Sequence, residues 1–168
     1  MVGTGTGHLP ERVTIANNTV IVAHPTAWAI RVQGAISVLI NGNTLRGPGL
    51  PSTYGAGIYL RATMLDNSFR SAIVTNNSIS NFGHYGILVA GNVTSAGSAS
   101  LLSLVISENV FDDDSSTPTM TTGIKLDDGS SIAKKVTLIG NTFIGGIVNQ
   151  VTNFPSGSGF TCVGITCP

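Results

Sequence analysis

Carboxylate side chains are concentrated in two short stretches, where they could take part in acid–base chemistry. Asp112, Asp113 and Asp114 occur in "FDDDSS", and Asp127 and Asp128 occur in "KLDDG". Glycoside hydrolysis needs two carboxyl groups on either side of one bond. Asp113 or Asp114 would supply this pair with Asp127 if the intervening loop folds back. The alternative is solvation, because a run of like charges at a turn usually faces water.

Other reactive groups are sparse. His84 and Tyr85 are adjacent in "NFGHYG", and the other two histidines have no recognisable partner. No Ser–His–Asp arrangement and no phosphate-binding loop is evident. Cys162 and Cys167, in "FTCVGITCP", do not have the spacing of a zinc site. They predict either a small disulfide loop or two packed thiols.

A repeated motif must position these groups. Five segments align on an Asn: "VTIANNTV" on Asn18, "VLINGNTL" on Asn43, "AIVTNNSI" on Asn77, "LVISENVF" on Asn109 and "VTLIGNTF" on Asn141. In every copy, the positions five and three before the Asn and two after it are apolar. The first two share one strand face because side chains alternate. The Gly or polar residue directly before the Asn suits a bend with one left-handed residue.

A second motif alternates with the first and predicts another short strand in each repeat. It occurs as "AIRV", "GIYL", "GILV" and "GIKL", with predicted inward residues Ile30, Ile58, Ile87 and Ile124. The number of residues from one aligned Asn to the next is in the range typical of a solenoid. A leucine-rich repeat would also need Leu eight residues before the Asn and a helical return, and neither pattern is present.

The sequence therefore predicts an all-β protein, a right-handed parallel β-helix of about five coils. One domain spans residues 1–168, with a lead-in segment at 1–12, coils at 13–147 and a C-terminal extension at 148–168 that contains the cysteine pair. Each Asn then lies above its counterpart, so that the side-chain amides hydrogen-bond along the stack.

With these motifs, the chain resembles the pectate-lyase-like superfamily of right-handed β-helix proteins, in particular through "ISENVF" and "TGIKL". The resemblance covers about residues 13–147. It implies a polysaccharide-active enzyme or a glycan-binding tail-spike body. Lyases of this superfamily use Ca²⁺ held by acidic residues, with an Arg or Lys base. No lyase signature surrounds Arg46, Arg61 or Arg70, so no cofactor is expected unless the protein is a lyase.

Outward residues of the second motif form two further columns. One contains Arg31, Tyr59, Leu88 and Lys125, and the next contains Gln33, Arg61, Ala90 and Asp127. We interpret Arg31, Tyr59, Arg61, Lys125 and Asp127 as candidate substrate-binding residues, because cations suit acidic sugars and aromatic rings offer a stacking surface. A merely solvated face is the alternative. Trp28 and Tyr85 are in phase with the inward Ile residues, and we predict them in the core.

Composition limits the class of partner. Eight basic and eight acidic residues cancel, so the sequence shows no electrostatic footprint of nucleic-acid binding. No apolar run reaches transmembrane length, and membrane insertion is not expected. The favoured interpretation is a tail-spike-like, glycan-recognising segment of an extracellular or virion protein. A polysaccharide lyase or glycoside hydrolase is the alternative, and a structural module without a ligand is the third.

The first motif also predicts assembly. The outward residues Leu39, Ile73, Val105 and Ile139 make its strands apolar on both faces. Such a wall needs cover, and closed cyclic symmetry would prevent open-ended growth. We therefore predict a homo-oligomer, with a trimer favoured and these residues at the interface.

Overall fold

A computed structural model of the chain describes residues 11–33, 35–62, 69–91, 101–127, 135–155 and 159–167. No helix within these ranges is long and apolar enough to cross a membrane. The strands of these ranges, in chain order, are β1 (Arg12–Ala16), β2 (Thr19–Ile21), β3 (Trp28–Gln33), β4 (Ser37–Asn41), β5 (Thr44–Arg46), β6 (Ala56–Ala62), β7 (Phe69–Thr75), β8 (Ser78–Ser80), β9 (Tyr85–Gly91), β10 (Leu101–Ser107), β11 (Val110–Asp113), β12 (Thr122–Leu126), β13 (Val136–Ile139), β14 (Thr142–Gly145), β15 (Asn149–Thr152) and β16 (Phe160–Val163).

The strands form three parallel sheets that the chain visits in turn. Sheet A has the order β1-β4-β7-β10-β13-β16, sheet B the order β2-β5-β8-β11-β14, and sheet C the order β3-β6-β9-β12-β15. Each strand pairs with its counterpart in the next coil, so one passage through A, B and C makes one coil. The predicted all-β solenoid with five parallel coils is confirmed.

Equivalent residues of the repeats stack in register. Val38 pairs with Ala72, and Ile40 pairs with Val74 in sheet A. In sheet B, Phe111 pairs with both Ile79 and Phe143. Nearly all of these inward side chains are buried, and the half-buried ones lie near the two ends of the solenoid, for example Val13 and Phe160. The core is thus a set of apolar columns, as the motif predicts.

The five aligned Asn residues form a hydrogen-bonded ladder at the corner between sheets A and B. Along the ladder, Nδ2 of each Asn donates to Oδ1 of the next at 2.9–3.0 Å. The backbone N–H donates to the same oxygen, for example from Asn77 to Asn109 at 3.0 Å. Nδ2 of Asn109 also donates to the carbonyl of Val74 in the preceding coil at 3.0 Å. Each amide therefore satisfies backbone groups that the corner would leave unpaired.

The residue before each ladder Asn has a positive φ, as the sequence predicts. These residues are Asn17, Gly42, Asn76, Glu108 and Gly140, with φ between 54° and 65°. Gly adopts this conformation freely, and Asn tolerates it well. Glu108 is the exception in residue type, but its conformation is the same, which shows that the ladder imposes the bend on the chain.

The solenoid continues beyond residue 147, where the sequence prediction ends it. Strands β15 and β16 extend sheets C and A, and Phe160 and Cys162 stack on Val136 and Leu138. Cys162 forms a disulfide with Cys167, with the Cα atoms 6.5 Å apart. The predicted C-terminal extension thus contains the start of a sixth coil. At the other end, residues 1–10 of the predicted lead-in segment lie outside the described residues.

The outer face of sheet A carries the four predicted outward apolar residues, in two columns. Leu39, Ile73 and Val105 stack in adjacent coils, but Val105 then pairs with Thr137. Ile139 instead pairs with Ser107 and lies one column away. Ile139 is outward as predicted, at 42% exposure, and lies in a different column because it is two residues before its Asn, whereas the others are four residues before theirs.

Replacing a central ladder residue should cost more stability than replacing the terminal one. Asn109→Ala removes two hydrogen bonds that Oδ1 accepts and two that Nδ2 donates in a buried corner. We therefore expect the free energy of unfolding to fall by about 3 kcal/mol. Asn18→Ala is the matched control, because this side chain is exposed at the first coil, and its loss should stay below about 1 kcal/mol. Urea unfolding measures both, and equal losses would contradict the ladder as the stabilising element.

Candidate functional site

The outer face of sheet C brings the predicted binding residues into register. Arg31 pairs with Tyr59 and Gln33 pairs with Arg61, and Leu88 lies between Tyr59 and Lys125. The backbone N–H of Asp127 donates to Val89 at 2.8 Å, which continues the second column. The predicted columns are therefore confirmed as a geometric arrangement. We call this surface, with its outward side chains, the C face.

Trp28 and Tyr85 also lie on the C face, and the prediction that they are core residues was wrong. Trp28 stacks on Tyr59 with ring centroids 5.2 Å apart, and the Tyr85 hydroxyl accepts a hydrogen bond from Nζ of Lys125 at 3.3 Å. Both partners are outward residues of sheet C. Trp28 and Tyr85 also share one column, because each pairs with Ala56.

An interruption of the inward–outward alternation of side chains, next to the inward Ile residues, explains this orientation. A Cβ atom on Gly86 would lie 2.4 Å from the ring of Phe111, and one on Gly123 would lie 2.1 Å from Phe143. These glycine positions therefore face the interior, and so does the Ile that follows each. Two successive inward positions invert the alternation, so the residue before the glycine points outward. The recurring small residue before each Ile was the sequence signal for this inversion.

The first two coils carry a cluster of aromatic rings and cations. The guanidinium of Arg31 lies 4.9 Å from the ring centroid of Trp28 and 5.7 Å from that of Tyr59, within the range of cation–π attraction. Arg31 also donates to Oε1 of Gln33 at 2.8 Å. Arg61 occupies the neighbouring column. Among the described residues, neither Arg31 nor Arg61 has a carboxylate partner, so this cluster is net positive.

The third and fourth coils carry a different cluster, in which the charges are balanced. Nζ of Lys125 lies 3.3 Å from Oδ1 of Asp127 and 5.2 Å from the ring centroid of Tyr85. His84 packs on Tyr85 with ring centroids 4.0 Å apart, and its Nδ1 lies 2.9 Å from Oγ1 of Thr121.

Both titratable bases of this second cluster have shifted pKa values. Burial, together with the nearby Lys125 ammonium, lowers the pKa of His84 from its ordinary value of 6.5. Burial also lowers the pKa of Lys125, but the hydrogen bond to Tyr85 and the carboxylate of Asp127 outweigh it, so the net shift is upward. At neutral pH, Lys125 is therefore charged and His84 is neutral.

The structure does not bring the candidate catalytic carboxylates together. Asp113 and Asp114 come before β12, whereas Asp127 comes after it. Asp113 accepts a hydrogen bond from the backbone N–H of Met120, and strand β12, which separates Met120 from Asp127, is by itself about 13 Å long. Glycosidase carboxyl groups lie roughly 5–9.5 Å apart. Asp128, in the same predicted group, lies outside the described residues.

Asp113 has a structural role that accounts for its burial. Its side chain is 2% exposed and accepts hydrogen bonds from the backbone N–H groups of Thr119 and Met120, both at 2.6 Å. The hydroxyl of Ser115 also donates to it. Asp114 is exposed and exchanges hydrogen bonds with Asn81 at 2.6 and 3.1 Å. These contacts favour loop capping over the predicted catalytic role for both residues.

The acidic residues that the structure describes do not fit a Ca²⁺ site of the kind that the resemblance implies for a lyase. Ca²⁺ takes six to eight oxygen ligands, usually from several carboxylates. No group of three or more His, Cys, Asp or Glu side chains converges within the described ranges. The oxygens of Asp113 are already engaged by donors of its own loop.

Comparison with protein families identifies the architecture. The family model described as "right handed beta helix region" matches residues 3–164, which is nearly the whole chain. The chain belongs to this family, and the predicted right-handed parallel β-helix is thereby confirmed. Comparison with curated proteins and with solved structures found no match.

Asp113→Asn tests whether this carboxylate acts in loop capping. We expect a loss of about 2 kcal/mol, because the amide places a donor or a weaker acceptor against the N–H groups of Thr119 and Met120. Asp112→Asn is the matched control on the outer face of sheet B and should leave stability unchanged within roughly 0.5 kcal/mol. Urea denaturation gives both values. A stable Asp113→Asn protein would show that the carboxylate does not hold the loop.

Proposed function

We propose that the protein recognises an extended glycan along the C face, as part of an extracellular or virion protein. The observation that carries the proposal is the row of outward aromatic and cationic side chains on four stacked strands, β3, β6, β9 and β12. Aromatic rings bind the apolar faces of sugars, and Arg and Lys bind their acidic groups. Parallel strands repeat every 4.7–4.9 Å or so, which gives a polymer a regular and rigid track.

The distribution of charge supports a glycan with at least one acidic unit. Arg31 and Arg61 lie in adjacent coils and have no carboxylate partner among the described residues. Two cations on a face of low charge favour an anionic group at that position. The disulfide between Cys162 and Cys167 favours an oxidising compartment, because such bonds rarely persist in the cytosol.

Catalysis has less support than binding. The candidate carboxylates Asp113 and Asp127 are separated by the length of β12, and Asp113 is buried. A glycoside hydrolase or a Ca²⁺-dependent lyase would need acidic groups that converge. A glycan-binding surface needs only the outward row that the C face presents.

Binding should depend on the aromatic and cationic residues of the C face. In a glycan array of neutral and uronate-containing oligosaccharides, we expect Trp28→Ala to weaken binding about tenfold, because it removes a stacking surface. Arg61→Ala should weaken binding of the acidic members by a similar factor. Arg46→Ala is the matched control, since Arg46 is an outward residue of sheet B.

Two results would contradict this proposal. The first is a folded wild-type protein that binds no glycan, which would favour a purely structural module. The second is an Arg46→Ala variant that loses as much binding as Arg61→Ala, which would indicate nonspecific charge. Unfolding midpoints of all variants show whether each one is folded.

The outer face of sheet A fits self-association as a homotrimer. Leu39, Ile73 and Val105 form an uncharged column, and Ile139 and Val163 extend it diagonally. Ile73, Ile139 and Val163 are 38%, 42% and 47% exposed, although they are large and apolar. A continuous apolar strip on a flat sheet favours burial against an identical strip, and cyclic symmetry closes such an assembly.

Charge on this strip should dissociate the oligomer. We expect Val105→Asp and Ile139→Asp to convert the assembly into monomers, because each buries a carboxylate in the interface. Val110→Asp is the matched control, since Val110 is 37% exposed on sheet B. Light scattering measures the mass. A monomeric wild-type protein, or Asp variants of sheet A that stay assembled, would overturn the assignment.

A further inference from the structure

The contacts around His84 favour one position for the proton of its ring. Oγ1 of Thr121 lies 3.2 Å from the backbone carbonyl oxygen of His84 and 2.9 Å from its Nδ1. A hydroxyl has one proton to donate, and a carbonyl oxygen can only accept. Both contacts are hydrogen bonds only when the Thr121 proton goes to the carbonyl and Oγ1 accepts a hydrogen bond from Nδ1–H. This leaves Nε2 of a neutral His84 as an unprotonated acceptor.

The surroundings of His84 carry no net charge. Lys125 is paired with Asp127 at 3.3 Å and bonded to the Tyr85 hydroxyl. Within this cluster of described residues, Lys125, Asp127 and Tyr85 are the charged or titratable groups, and Thr121 does not titrate. The cluster thus differs from the net positive cluster around Arg31. The charge of the C face therefore changes along the solenoid axis, from positive over the first two coils to neutral over the third and fourth.

We infer that His84 is a specificity-determining residue of the C face, whose Nε2 accepts a hydrogen bond from a hydroxyl of a neutral sugar unit. That unit lies over the third and fourth coils, while an acidic unit of the same glycan lies over the first and second. Thr121 acts as a positioning residue, because it fixes the tautomer without touching the sugar. The inference rests on the proposed glycan-binding function.

The tautomer can be read in the free protein by long-range ¹H–¹⁵N NMR of the imidazole. We expect protonation at Nδ1 in the wild-type protein and in Thr121→Ser, which keeps the hydroxyl. Thr121→Val removes the acceptor and should shift the population toward protonation at Nε2. Protonation at Nε2 in the wild-type protein, or no change in Thr121→Val, would overturn the inference without any glycan being involved.

The subsite itself is tested with neutral hexasaccharides of glucose, mannose and galactose, and with hexagalacturonate as the acidic probe. A neutral probe should shift the Nε2 resonance of His84. His84→Phe, which keeps a ring but lacks the acceptor, should bind that probe about fivefold more weakly. His24→Phe is the control, because His24 is exposed and its side chain bonds only to Thr26 among the described residues.

The outcomes separate the two proposals. If the probes perturb the Trp28 indole but no neutral probe perturbs His84, the subsite is overturned while glycan binding stands. If no probe perturbs either residue, both are overturned. Equal binding by His84→Phe and the wild-type protein also overturns the subsite.

Discussion

The corner between sheets A and B is the constraint on which the rest of the structure depends. A left-handed residue ends each sheet A strand there, and the backbone groups it interrupts are buried. An Asn side chain satisfies them because its amide donates twice and its oxygen accepts twice. Asn77, for example, bonds to the coil before it through Ile40 and to the coil after it through Asn109. Repetition of this contact fixes the register of all three sheets.

Because the register is fixed, the spacing of residues in the sequence decides which side chains lie next to one another on the surface. Because every coil repeats the same corner, one position of the motif becomes one column along the axis. The inward columns then compete for space, and the rings of Phe111 and Phe143 stack 4.8 Å apart beneath Gly86 and Gly123. The glycines that make this room also reverse the side-chain alternation. Core packing in sheet B therefore decides that Tyr85 faces outward in sheet C.

The same geometry gives the three faces different chemical properties. Sheet A presents an apolar strip, and sheet C presents rings and cations. The first outward column of sheet B carries the small residues Thr19, Thr44, Ser78, Val110 and Thr142. Each face is built from its own strand positions, so a substitution on one face leaves the side chains of the other two faces unchanged. The proposed assembly through sheet A and the proposed glycan binding on sheet C are compatible for this reason.

The sequence by itself determined the solenoid, the Asn ladder, the left-handed bends and the pairing of Arg31 with Tyr59, because these depend on a motif that every coil repeats. It did not determine the outward position of Trp28, since two successive inward residues break the period of two. The sixth coil was missed because it has no Asn to mark it. The capping role of Asp113 depends on a loop that folds back onto one carboxylate. Such features involve contacts that occur once, between residues distant along the chain, and only the tertiary structure decides them.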